Sequence, residues 1–330
     1  MVQLAVLLTQ NYRLLSVAAI LDLFDTVNRE AVQAGEEPHF KINLAYSGAY
    51  APEISAFAKY NPVALEHAGK QDLILIPAFD TNDLPSSIQA NMAFLPWLNR
   101  QYAQGAEVAS FCTGAFLLGA SGLLNGKNAT THIHASQAFA ASFPHIQLRE
   151  DAIVTQEDGI YTSGGATSSF HLMLQLVQQY CNKDLAIKMA KIFAIDMNRE
   201  QQRYFGTFSP AHDHGDDLVI KTQRCIENAY SDPGTIEHIL QQIPASRRNI
   251  VRRFKQATGS TLIEYLQKTR IEAAKRLLEQ TNRSIMEIML DTGYNDLKTF
   301  RQLFKKSSGM TPKDYRDKFK LRVVQEDKVA

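Results

Sequence analysis

The sequence predicts two domains of different class: an α/β domain over residues 1–200, with a parallel sheet covered by helices on both faces, and an all-α domain over 217–320. Three observations carry this. Apolar strand-like runs alternate with helical patterns through the first half of the chain, the signature of strands buried on both faces. Beyond residue 231, two segments share one grammar: a polar starter, an apolar helix pattern, a break, and a cation-rich helix ending in Phe254 or, 50 residues on, Phe304. The charge is also divided. Residues 216–330 hold 22 Lys/Arg against 15 Asp/Glu and residues 1–215 hold 13 against 19, so a net charge of +1 conceals +7 and −6. A basic C-terminal part suits a polyanionic partner, and an acidic N-terminal part would not compete for it.

Val2–Leu8 is a continuous apolar run, read as a buried strand, and Leu14–Ala34 has helical spacing that stops at Gly35. Phe40–Tyr46 alternates like a strand, Leu73–Ile76 is a short apolar run closed by Pro77, and Val108–Phe111 is a further buried strand. Leu84–Gln104 is expected as one helix bent at Pro96. Ala152–Thr155 and Ile160–Thr162 read as a hairpin-like pair, and helices at about 165–182 and 184–197 finish the domain. The segment 206–215 (GTFSPAHDHG) has the composition of a linker, placed at 201–216, and 321–330 is assigned as a tail.

In the first of the repeated units, Ile236, Ile239 and Leu240 make one apolar face, Pro244 breaks the helix, and Ser246 is a natural N-cap for the next. Ile250 and Phe254 face inward, with Val251 expected beside them. In the second unit Ile285, Ile288 and Met289 pack one helix, Gly293 supplies the turn, Asp296 caps the next helix, and Phe300 and Phe304 anchor it. Leu262–Leu278 reads as a long helix bridging the units. One arginine-rich helix is usually a solvated face; two, each second in a helix–break–helix unit and each anchored by a buried Phe, point to a double helix-turn-helix presenting two helices to successive grooves of a duplex.

Residues 217–319 resemble the DNA-binding domain of the AraC/XylS family of bacterial transcription regulators. Ser246–Phe254 (SRRNIVRRF), Tyr265-Leu266, Arg270, Ala274, Leu277-Leu278, Gly293-Tyr294, Phe300-Arg301, Phe304, Gly309 and Thr311-Pro312 carry the match. The first turn departs from it, with Gln242-Ile-Pro-Ala245 where the family usually has a glycine-containing sequence, so a slightly altered angle of the first recognition helix is expected. The resemblance implies double-stranded promoter DNA as partner. Base-edge contacts are assigned to Arg248 and Arg252 in the first unit and Lys298, Arg301 and Gln302 in the second, with Asn249 and Thr299 on the same exposed surfaces; Arg and Gln are the side chains that read guanine and adenine bidentately. Arg247, Arg253, Lys255, Lys305 and Lys306 are assigned to phosphates.

In the first domain the stretch VASFCTGAFLLG (108–119) runs from strand to helix through Cys112. Such an elbow presents its side chain beside helix N-terminal amides, which lower a thiol's pKa, and Ala129-Thr-Thr-His132 offers an imidazole. This resembles the PfpI/ThiJ branch of the class I glutamine amidotransferase-like superfamily. With SGLLNGKNATTH (121–132) and YTSGG (161–165) the closer likeness is the GlxA-like sensor domain found fused to AraC-type reading heads; it implies a flavodoxin-like fold, a small-molecule effector, a homodimer and RNA polymerase as a further partner. The effector class it suggests is a nitrogenous metabolite, an amino acid or amine. No carboxylate precedes Asp22 after the first strand, Leu15-Ser16 stands where these proteins usually show Leu-Asp, and His171 replaces an Asp. A base-orienting third group is therefore missing, and Asn11, Tyr12, Cys112, Thr113 and His132 are read as a ligand pocket rather than a catalytic set. The alternative is a cysteine-dependent hydrolase or amidase with an accessory DNA-binding domain.

No stretch approaches the roughly 20 apolar residues of a membrane helix, and the N-terminus opens into a strand without a basic leader. Three cysteines (112, 181 and 225) are too few and too scattered for a disulfide framework or a zinc pattern. His212-Asp-His214 with Asp216-Asp217 has metal-ligand chemistry but falls at the expected linker and is read as a solvated polar run, and His132/His134 lack a third ligand. No metal or cofactor is expected, and the compartment expected is the cytoplasm.

Overall fold

The computed structural model describes residues 1–48, 54–60, 62–80, 83–197, 202, 205–232 and 235–320; the expected tail lies outside them. The chain divides into two compact units, Met1–Gln202 and Arg203–Ala330.

The first unit runs β1 (Val2–Leu7), α1 (Leu14–Gln33), β2 (Phe40–Tyr46), β3 (Pro62–Ala64), β4 (Leu73–Ile76), α2 (Leu84–Ala90), α3 (Phe94–Ala103), β5 (Glu107–Phe111), α4 (Ala115–Ala120), β6 (Asn128–Ala129), α5 (Ser136–Ser142), β7 (Gln147–Leu148), β8 (Val154–Glu157), β9 (Ile160–Ser163), α6 (Ala166–Tyr180) and α7 (Lys183–Ile192). The main sheet has the order β3-β2-β1-β4-β5-β9-β8. Its pairings are parallel except the hairpin between β8 and β9. Side chains alternate between two cores, as strand geometry requires. Leu4, Val6, Leu73, Leu75 and Phe111 pack with α1, α6 and α7, whereas Ala5, Leu7, Ile74, Ile76 and Val108 pack with α3, α4 and α5.

Two helix expectations change. The stretch 84–104 is two helices, because the break falls at Asn91–Ala93, upstream of Pro96. Pro96 sits in the first turn of α3, where its missing amide hydrogen leaves no helical bond unmade. The last helix ends at Ile192 rather than 197, at Ala194 with φ 50°. The unit's final residue, Gln202, is buried (1% exposed). Its carboxamide accepts from the Gly165 amide and donates to the Thr130 hydroxyl and the Thr131 and Glu150 carbonyls at 2.9–3.1 Å. A Cβ at Gly164 would overlap it.

The second unit comprises α8 (Asp217–Ala229), α9 (Thr235–Gln242), α10 (Arg247–Thr258), α11 (Leu262–Gln280), α12 (Ile285–Asp291), α13 (Leu297–Ser308) and α14 (Pro312–Phe319). It holds two cores. Val219, Ile226, Ile239, Ile250, Phe254 and Tyr265 form one, and Ile271, Ala274, Leu278, Ile288, Phe300, Phe304 and Tyr315 the other, so α11 contributes to both. Val251 is 39% exposed rather than inward; it follows Ile250 by one position, about 100° round the helix, and falls off the buried stripe.

Residues 205–216 do not behave as a free linker. Phe208 packs edge-on against Tyr265 (5.1 Å) in the first core, and Lys275, 3% exposed, donates to the Gly206 carbonyl at 2.6 Å. Gln223 donates to the Ala211 carbonyl and the Tyr265 hydroxyl, His212 meets Glu227 at 3.1 Å, and His214 meets Gln223 at 2.9 Å. Turn-forming composition made the segment look loose, but Phe205, Phe208, His212, His214 and Asp216 find partners on the helices.

Candidate nucleic-acid interface and ligand cleft

The two second helices, α10 and α13, are built alike. Ser246 accepts the Asn249 amide and Asp296 the Thr299 amide as N-caps, and both helices end at a left-handed glycine, Gly259 or Gly309. Each buries an i, i+4 pair, Ile250 with Phe254 and Phe300 with Phe304, which fixes its rotation and sends the polar residues outward. Arg247, Arg248, Arg252, Lys255, Lys298, Thr299, Arg301, Gln302 and Lys305 are exposed, while Asn249 and Arg253 are half-buried. Arg253 is clamped by Asp216 at 2.7 and 2.9 Å, and Arg247 meets Glu237 at 2.7 Å on the surface. Asp216 also caps α8 through the Val219 amide, so the Arg253 guanidinium is held in place before any ligand arrives. Sequence reasoning assigned Arg253 to DNA but did not see this clamp, because the two residues lie 37 positions apart.

In the first unit the strand order reverses between β1 and β4, and in such sheets ligands bind outside the carboxyl ends of the strands at that reversal. A cleft opens there, lined by Asn11, Tyr12, Arg13, Leu14, Leu15, Asp80, Asp83 and Ser87. The loops after β1 and β4 are tied together: Arg13 donates its amide to Ala78, and Asp80 donates its own to Asn11. Asn11 is left-handed, with φ 58°. Arg13 and Asp80 approach to 3.9 Å across the cleft.

Asn11 and Tyr12 of the sequence-derived pocket line this cleft, whereas Cys112 and Thr113 do not and are buried, 5% and 2% exposed. Both ends of the Thr113 hydroxyl are spent on Phe79, accepting its amide at 3.0 Å and donating to its carbonyl at 2.7 Å. Cys112 does occupy the elbow, with φ 55°, a conformation that non-glycine residues adopt rarely. The neighbouring Thr113 amide does act to lower its thiol pKa, but burial outweighs it together with the Thr113 hydroxyl and the Arg13 charge and pushes the thiol up to about 11. His132 abuts Gly165, accepts the His134 amide on Nδ1 and stacks on the His134 ring at 5.2 Å. Burial, then the charges of His134 and Arg13, bring its pKa down to about 4. Near neutrality this leaves a protonated thiol and an uncharged imidazole, not an activated pair. Arg13, which sequence reasoning passed over, acts electrostatically on both. Its only sequence signal is a cation in the short connection between the first strand and the first helix. Among the described residues no cluster of His, Cys, Asp or Glu suits a metal ion, and no helix is long and apolar enough to cross a membrane.

Residues 45–179 match the DJ-1/PfpI family and residues 240–318 a helix-turn-helix domain family. The HTH-type transcriptional regulator CdhR of Pseudomonas aeruginosa is 26% identical over 251 residues, covering 76% of this chain and 73% of that protein. The HTH-type transcriptional regulator GlxA of Rhizobium meliloti is 26% identical over 223 residues, covering 65% of this chain and 66% of its own. The xylose operon regulatory protein of Escherichia coli is 35% identical over 102 residues, 31% of this chain and 26% of that one. The exposed cationic helices and these matches define the class: a helix-turn-helix transcriptional regulator in which a DJ-1/PfpI domain precedes an AraC-type DNA-binding domain. Within that class the chain is GlxA-like.

Proposed function

We propose that the protein binds operator DNA as a homodimer through α10 and α13 and that a small metabolite held in the β1/β4 cleft governs that binding. The observation that carries the reading is the matched design of the two helices: each is pinned by two buried apolar residues and leaves its cations exposed, Arg253 excepted. Arg248, Arg252, Lys298, Arg301 and Gln302 read base edges, with Asn249 and Thr299 alongside. Arg247, Arg253, Lys255 and Lys305 hold phosphates, and RNA polymerase is the partner through which binding alters transcription. The cleft offers Arg13 for an anion, Asp80 and Asp83 for a cation, and the Tyr12 ring beside them. That combination suits a zwitterionic amino acid or an amine. A sensing role rather than catalysis accords with the neutral Cys112 and His132.

The test is binding of the full chain to a duplex it selects from a random pool. Arg252→Ala should cost ~1–3 kcal/mol on the selected site and relax preference at one position, whereas Lys305→Ala should weaken selected and random DNA alike and lower the salt slope by about one. Equal losses on both DNAs for Arg252→Ala would refute its base-reading role. A thermal-shift series with amino acids and quaternary amines, repeated on Arg13→Ala, tests the cleft: a stabilising compound that acts equally on both proteins places the effector elsewhere.

A further inference from the structure

The two helix-turn-helix cores share α11, and near its middle, between Leu266 of one core and Ile271 of the other, stands a half-buried arginine. The Arg270 guanidinium reaches to both sides. Towards the first half, Nε donates to the Tyr230 carbonyl at 2.6 Å and Nη2 to the Asp232 carbonyl at 3.0 Å, just beyond the end of α8. Towards the second half, it lies over the Tyr294 ring at 5.3 Å. Tyr294 is 7% exposed and packs against Phe300 of α13, ring centroids 5.3 Å apart. The adjoining turn is pressed onto the same place. Gly293 has φ +80°, and a Cβ there would come within 2.7 Å of the Ser231 carbonyl, 2.8 Å of Arg270 Nη2 and 2.9 Å of the Tyr230 carbonyl. A glycine is thus required both for the turn and for the approach of the second half to the first.

We propose that Arg270 is a positioning residue for DNA reading: by bridging the carbonyls after α8 to the Tyr294 ring that supports α13, it locks the second recognition helix in register with the first. The proposal rests on both helices addressing one duplex. It assigns Arg270 no contact with DNA; a planar, multiply donating cation is used because it can bond two carbonyls in its plane and stack through its face at once. A lysine supplies the charge but neither the fork nor the face.

One base pair added between the two recognised boxes displaces the second by about 3.4 Å and turns it by roughly 35°. For a rigid reading head the wild type should lose on the order of tenfold in affinity on such a spaced duplex, comparable to one mismatched position. The experiment compares the full chain, Arg270→Gln and Arg270→Lys on the duplex that the wild type selects from a random pool and on versions lengthened or shortened by one base pair. Both variants should bind the selected duplex about tenfold more weakly, yet discriminate its spaced versions by no more than about twofold. Loss of affinity with spacing discrimination intact would overturn the proposal, as would no loss at all. Circular dichroism checks that each variant folds. Should Arg270→Gln fail to fold, Arg270→Lys, which keeps charge and length, decides the question by the same two numbers. Failure of the wild type to select any duplex would instead defeat the DNA-binding reading itself.

Discussion

Cys112 shows how a residue can be legible in position and illegible in chemistry. The strand-to-helix elbow follows from VASFCTG, and the left-handed φ of 55° accords with it. The state of the thiol does not follow, because it depends on how deeply the fold buries the elbow, which outweighs the opposing effects of the Thr113 bonds and of Arg13 from the loop after β1. With its pKa near 11, iodoacetamide should label Cys112 slowly at pH 7–8, with the rate still rising above pH 9; rapid labelling at pH 7 would contradict the burial. His132 has a consequence of opposite sense. The unfolded chain takes up a proton near pH 6.5 and the folded chain only near pH 4, so the stabilising contribution is whole above 6.5 and is lost as pH falls across that window. His132→Asn, which can still accept the His134 amide, should therefore flatten the fall in melting temperature between pH 6.5 and 4.

Helices and strands were largely readable because each element writes its own pattern. Ser246, Asp296 and Gly293 could be assigned their local roles from sequence, and the structure has the caps and the left-handed turn in place. What could not be read was set by partners distant in the chain: the break between α2 and α3, where Asn91 bonds Gln10, and the seating of residues 205–216 on α8 and α11. The pocket residues divide in the same way, since Asn11 and Tyr12 stand on the loop after β1 itself while Thr113 is claimed by Phe79. Capping offers a clean test at this scale. Asp296→Ala removes the acceptor of the Thr299 amide and should lower the stability of the C-terminal unit. It should also weaken DNA binding, since α13 begins there; chemical denaturation and titration with the selected duplex measure the two.

Among the described residues the apolar interior lies in separate parcels, with the cores of residues 1–202 and those of the C-terminal helices each built from their own members. Damage should accordingly stay local. Phe304→Ala empties a fully buried site and should destabilise the C-terminal unit by about 3–5 kcal/mol, abolishing DNA binding while Cys112 stays as resistant to alkylation as in the wild type. Gln202 sets a practical limit on this divisibility. A sensor fragment cut at residue 200, where composition alone would place the boundary, discards the carboxamide that occupies the space beside Gly164 and leaves the Gly165 amide, the Thr130 hydroxyl and two carbonyls facing a vacancy beside His132. Two further residues of chain keep that plug in its socket, so the length at which a fragment is trimmed decides whether its ligand-binding properties are those of the intact protein.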